Sequence, residues 1–299
     1  MRYLLPLLSL PGYLAAHSIA ATDFMWIHDG HHVDLDVEAR HVFPADFETD
    51  KYKQLHYDDG YAALYLAHNL CNPCHSLAYE VGYSFFRLGW KENPRFSEQD
   101  FNFATASISY ISTGLDDWRW VLRAGVSVDS DDFDFGQTAL YYGLAWGRYQ
   151  ISDCAGAHVG AFGYAGVENN YFLPVLGLDW TFCDKWTINA IFPLKADIEY
   201  AFNDTFDIAL NFRTFGGPYK SPKRVPGGHG RYHDAIFSVY SSGLELDLNY
   251  HCGTWFTAEI GGGWNFGGWV NIKDHENRHG KYYKFDGAPY VEASVSISF

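Results

Sequence analysis

Five cysteines, fourteen histidines and a set of spaced carboxylates and arginines are the side chains of this 299-residue chain that could do chemistry. A Ser–His pair for nucleophilic work on one strand face would read His-x-Ser, and that triplet does not occur. Asp34-x-Asp36 has the spacing of two carboxylates that could activate water on one face, but two acids lining a polar interior are the simpler reading. His28, His31 and His32 lie near the N-terminus, His229 and His233 in a Gly-rich stretch, and His275 and His279 on either side of Glu276. Imidazoles four apart can share a transition metal only if their segment is helical or folded, and in solvated loop sequence they predict no metal site. The reading is of a non-enzyme, with no catalytic residue and no cofactor. Cys71 and Cys74 bracket one tight turn, while Cys154, Cys183 and Cys252 fall at three others on the same side. In an oxidising compartment such thiols are disulfide candidates, and an odd count leaves at least one for a partner. Bonds between neighbouring turns and links to other envelope proteins both stay open. Zinc needs four convergent ligands, and Cys71-x-x-Cys74 supplies two.

The elements that must position these residues are strands. Ten Trp, 22 Tyr and 23 Phe with 29 Gly suit short strands and turns far better than helices. From Val33 onward the chain falls into segments of period-two alternation, the pattern expected where one face meets lipid and the other a polar interior. Trp118, Trp120, Leu122, Ala124, Val126 and Val128 interleave with Arg119, Arg123, Gly125 and Ser127. Phe206, Ile208, Leu210 and Phe212 interleave with Asp207, Asn211 and Arg213; Leu244, Leu246 and Leu248 interleave with Glu245, Asp247 and Asn249. The candidate strands are 31–42, 57–69, 75–89, 101–112, 118–128, 137–150, 157–167, 172–182, 185–193, 196–203, 205–215, 235–250, 254–268 and 287–299. The expected fold is therefore all-β, a closed antiparallel transmembrane barrel of about 14 strands, with 12 as the alternative. Long polar connections (43–56, 90–100, 129–136, 216–234, 269–286) on one side oppose tight turns on the other, the asymmetry of outer loops and periplasmic turns.

Both chain ends carry signals. Arg2, an apolar stretch over Tyr3 to Ala16 and the small residues around Ala20 and Ala21 predict a cleaved secretory signal over 1–21, leaving 22–299 as one barrel domain. At the other end Val291, Ala293, Val295, Ile297 and the terminal Phe299 form an apolar comb against Glu292, Ser294, Ser296 and Ser298, with Tyr290 upstream. This comb resembles the assembly signal of bacterial outer-membrane β-barrel proteins, and its physical sense is that a last strand must be recognised and closed against the first. Over the whole mature chain the likeness is to porin-like barrels defined only as a domain of unknown function. It implies residence in the outer membrane of a Gram-negative-type bacterium, contact with outer-membrane lipid and insertion by the barrel assembly machinery. The cysteines resemble those of bacteria whose outer envelopes are stiffened by disulfides, which implies disulfide-linked envelope proteins as partners.

A formal net charge of −15 argues against nucleic acid as a partner. The polar phase of the strands places Asp34, Asp36, Glu38, Glu80, Asp197, Glu199, Asp207, Glu245, Asp247, Glu259 and Glu292 inside, against Arg40, Arg119, Arg123 and Arg213. A low-dielectric wall focuses such a field, so an open lumen would admit cations more easily than anions. The expected function is a passive, weakly cation-preferring diffusion channel for small solutes. The alternative is a non-conducting structural or surface-interaction barrel cross-linked through its turn cysteines, and arginine–carboxylate pairs across the lumen would favour it.

Overall fold

The computed structural model describes residues 32–48, 53–72, 74–92, 99–167, 170–221, 225–227, 230–232, 234–274, 276, 278 and 280–299. The segment 1–31, where the sequence predicts a signal over 1–21, lies outside them, as do His229, His233, His275 and His279.

Alternation of apolar and polar residues gives eleven consecutive up-and-down strands: β1 (His32–Ala45), β2 (Lys53–Asn69), β3 (His75–Glu92), β4 (Gln99–Leu115), β5 (Trp118–Asp129), β6 (Leu140–Ser152), β7 (Ala155–Ala165), β8 (Tyr171–Phe182), β9 (Trp186–Phe192), β10 (Lys195–Ala201) and β11 (Phe206–Phe215). Three short strands follow, β12 (Pro218–Ser221), β13 (Val225–Gly227) and β14 (Gly230–Tyr232). The chain then returns to β15 (Ala235–Cys252), β16 (Phe256–Lys273), the short β17 (Lys281–Phe285) and β18 (Ala288–Ser298). Each of β1 to β11 pairs antiparallel with its neighbour; β11 pairs with β15, β15 with β16, β16 with β18, and β18 with β1. The ring therefore closes on 14 strands and leaves no barrel edge unpaired. All fourteen expected strands are present. The Phe299 amide donates to the Val33 carbonyl at 2.8 Å where the ends meet.

Facing is set by the pleat. In β15, Leu244, Leu246 and Leu248 are 42 to 54% exposed on the outside, whereas Glu245 and Asp247 are 1% and 0% exposed inside. The comb divides in the same way: Val291, Val295 and Phe299 face out, while Tyr290, named with them in the sequence, faces in and packs edge-on against Phe215 at 4.9 Å. The end that holds His32 and Phe299 carries the tight turns, three of them built on left-handed residues: Asp117 (φ 62°), Cys183 with Asp184 (φ 55° and 56°) and Gly253 (φ 60°).

At the other end β15 and β16 run on past their barrel partners. There β12 adds to β15 and β17 adds to β16. The fold back into β12 requires Gly216: its φ is +84°, and a Cβ there would lie 2.2 Å from the Val239 carbonyl oxygen. The interior is less polar than the alternation predicts. One apolar cluster occupies the loop end, including Tyr57, Phe86, Phe101, Phe215, Phe237 and Tyr290. A second, including Tyr65, Val121, Leu144, Trp146, Phe162 and Val175, runs along the inner faces of β2 to β9.

Candidate functional site in the barrel interior

The charged residues of β1, β2, β11, β15, β16 and β18 converge because register brings them together. β1 pairs with β18 so that Arg40 stands opposite Glu292, and with β2 so that Arg40 stands opposite Asp59. Arg40, 4% exposed, donates from Nε to Glu292 at 2.6 Å, from Nη1 to Asp59 at 3.1 Å and from Nη2 to Glu38 at 2.8 Å. Its guanidinium also lies 4.8 Å from the Phe215 ring centre. Arg213 on β11 reaches Glu245 at 2.6 Å, Glu259 at 3.2 Å, Glu292 at 3.5 Å and Asp247 at 3.6 Å. Two guanidiniums thus serve six carboxylates on one inner wall. Glu245, Asp247 and Glu259 bring oxygens within 4.8 Å of one another, with Arg213 among them, and Asn211 donates to Asp247. Gly261 makes room for this packing: a Cβ there would fall 2.0 Å from Asp247 Oδ1. Carboxyl groups thus outnumber guanidiniums on this wall by six to two.

Four smaller charge groups line the rest of the interior. Arg123 pairs with Glu80, which also accepts from Ser107 at 2.5 Å. Arg148 holds Asp179 through two bonds of 2.7 Å, and His158 Nε2 lies 2.6 Å from the same carboxylate. Trp146 Nε1 donates to His158 Nδ1 at 3.1 Å, which fixes the tautomer with the proton on Nε2. Lys195 bridges Asp197 and Glu199 at 3.1 and 3.0 Å, and Asp207 holds His251 and Asn249 at 2.5 and 2.6 Å. Asp34 sits at the turn end with Ser298 and His32, Asp36 pairs in register with Ser296, and Arg119 stands opposite Arg148.

All the interior acids and arginines expected from the strand phase lie on the inner side, but most are joined in ion pairs rather than lining a bare path. Asp59, Arg148, Asp179 and His158 were missed, although Asp179 sits on the polar phase of Leu176, Leu178 and Trp180 and could have been found there.

Aromatic side chains cross the lumen at the loop end. Tyr219 of β12 stacks on Phe86 of β3 at 4.4 Å and on Phe101 of β4 at 4.9 Å, and Phe101 meets Phe237 of β15 at 5.6 Å. β4 and β15 are six steps apart around the ring of 14, so these rings form a chord close to a diameter. Below it, Tyr57 on β2 bonds Ser241 on β15 at 2.9 Å and accepts from Asn265 on β16 at 2.6 Å. Lys220 ties the fold-back to Gln137 at 2.9 Å. At the opposite rim Cys71, Cys74, Cys154, Cys183 and Cys252 are free thiols, each exposed or half-buried at a turn.

Closed antiparallel strands, an apolar outer face and charged clusters within define a porin-like β-barrel of the outer-membrane type. The chain belongs to the DUF6268 family, a domain of unknown function, which matches residues 62–298. It is similar to an uncharacterised protein of Chlamydia pneumoniae, 23% identical over 75% of this chain and 73% of the relative. It is also similar to one of Chlamydia trachomatis, 23% identical over 67% and 61%. Among solved structures it resembles a FadL homologue of Pseudomonas aeruginosa, with TM-score 0.52, 9% identity and coverage of 96% of this chain and 94% of the other. An outer membrane channel of Pseudomonas putida F1 gives TM-score 0.50, 6% identity and coverage of 91% and 97%. At these identities the likeness is one of fold.

Proposed function

We propose that the protein sits in the outer membrane of a Gram-negative-type bacterium, placed there by the barrel assembly machinery with its apolar belt against lipid, and passes small solutes with a preference for cations. The observation that carries this reading is the inner wall of six carboxylates and two guanidiniums, held by register on β1, β2, β11, β15, β16 and β18. Excess negative charge in a narrow, low-dielectric passage lowers the energy of a cation there and raises that of an anion. The Gly216–Ser221 fold-back narrows the loop end. Refolded barrel added to a planar bilayer is expected to give discrete conductance steps; a correctly folded barrel that stays silent contradicts the reading.

The aromatic chord and the rim thiols favour a second reading, a non-conducting barrel joined to other envelope proteins by disulfides. Five thiols at the turn end of one barrel stand where a periplasmic partner would meet them. Electrophoresis of isolated envelopes without reductant tests it: higher bands that collapse on reduction support it, and a monomer band alone contradicts it.

A further inference from the structure

The connection between β5 and β6 is fastened to the outer face of the barrel wall. Along β5 the outward residues Leu122 and Ala124 are exposed and Val126 is half-buried, yet Val128, next in the same phase, is only 3% exposed. The tethers come from outward side chains of β3, β4 and β6. The Tyr83 hydroxyl donates to Asn102 Oδ1 at 2.8 Å, Asn102 Nδ2 donates to Asp131 at 3.3 Å, and the Tyr141 hydroxyl donates to the Phe135 carbonyl at 2.9 Å. Thr138 closes the segment into one turn, its Oγ1 donating to the carbonyls of Asp132 at 2.8 Å and Asp134 at 3.0 Å. Phe133 and Phe135, held in this turn, are 61% and 53% exposed. Their height follows from β6, where outward Tyr149 comes eight residues after Tyr141. At about 3.3 Å per residue and a tilt of about 40° that is roughly 20 Å, close to the ~25 Å apolar band that aromatic girdles flank. The turn is thus bonded to the loop-end girdle of the apolar belt.

We propose that this turn is a lipid-docking surface, with Phe133 and Phe135 entering the boundary between headgroups and acyl chains, and that it favours a lipid whose headgroup ends in an ammonium group. Two exposed rings gain by burial in an apolar neighbour, and on this face of the wall, at this height, that neighbour is the lipid against the belt. The flanking charge sets the headgroup. Asp131 and Asp132 precede Phe133, and Asp134 stands between the two rings. Carboxylates so placed repel an anionic headgroup and attract an ammonium group. The outward Arg87 of β3 is balanced by Asp100 at 2.8 Å. The inference rests on the outer-membrane placement proposed above and deepens it by naming a site and a lipid chemistry; it is independent of conduction.

Photocrosslinking of the full barrel refolded into phosphatidylcholine vesicles tests it. The vesicles carry a small fraction of a lipid with a diazirine near the glycerol end of its acyl chain, bearing either an ethanolamine or an anionic glycerol headgroup, and adducts are mapped to residues by tandem mass spectrometry. Adducts are expected on Phe133 and Phe135 as well as on outward strand residues such as Leu122 and Leu176. The ethanolamine probe is expected to label the turn at least about twofold more than the glycerol probe, with strand labelling equal, and Asp132→Asn should bring that ratio toward one. Phe133→Ser combined with Phe135→Ser is expected to lower turn adducts by about fivefold while strand adducts stay constant. Phe133→Ser alone carries the test if the double variant does not refold. Labelled strands with an unlabelled turn, equal yields from the two probes, or turn adducts unchanged in the folded variants overturn the proposal. Strands that also take no label overturn the membrane placement itself.

Discussion

Arg40 shows what a single residue does in this barrel. It is buried, and its three donor positions are spent on three carboxylates contributed by three strands. Replacing it by Met would leave Glu38, Asp59 and Glu292 together without their cation, a change expected to cost about 3–5 kcal/mol. Urea midpoints of refolding into lipid vesicles would read this directly; a midpoint equal to that of the unchanged protein contradicts the proposed role. Arg40→Lys keeps the charge but not the planar fork, so it should recover only part of the loss. Gly261 is held by the same network from the other side. Gly261→Ala would drive a methyl into Asp247 Oδ1, and a loss of about 1–3 kcal/mol is expected in the same assay. The strand phase made Arg40, Arg213 and their acids legible as interior residues, since period two assigns a face without any knowledge of partners. It could not show that Arg213 reaches Glu292, because that contact spans β15 and β16 and depends on how β15 returns to β11 after the 216–234 connection.

At the scale of elements, the long amphipathic strands were readable and the short ones were not. β12, β13, β14 and β17 have only three to five residues each, too few for alternation to stand out, and β12 is held by Gly216 and by rings on β3 and β4 rather than by its own pattern. Tyr219 is the residue through which β12 crosses the lumen. Under the channel reading, Tyr219→Ala is expected to raise unitary conductance at least about twofold by opening the loop end, since pore width there limits passage. Conductance unchanged from the parent would show that the chord does not limit flow. The last strand makes a separate prediction. Phe299 completes the outward comb and its amide closes β18 on β1. Removing it should lower the yield of heat-resistant barrel assembled into membranes, measured by gel mobility of unboiled samples, and an unaltered yield contradicts an assembly role for the comb.

For the whole molecule, the physical tension is between a closed ring of 14 strands, wide enough for a passage, and an interior occupied by ion pairs and aromatic rings. The sequence exposed the first half of this, because strand count follows from alternation and turns. The second half arises from contacts between strands distant in sequence, such as Phe101 with Phe237, which no local pattern encodes. The central claim is that the surplus of carboxylates on one wall governs what passes. Its most direct test is the reversal potential of the refolded protein in a planar bilayer under an approximately tenfold KCl gradient. A potential displaced toward the potassium equilibrium value, and reduced when Glu259 is replaced by Gln, is the predicted result. A potential at zero or of the anion-selective sign would contradict it.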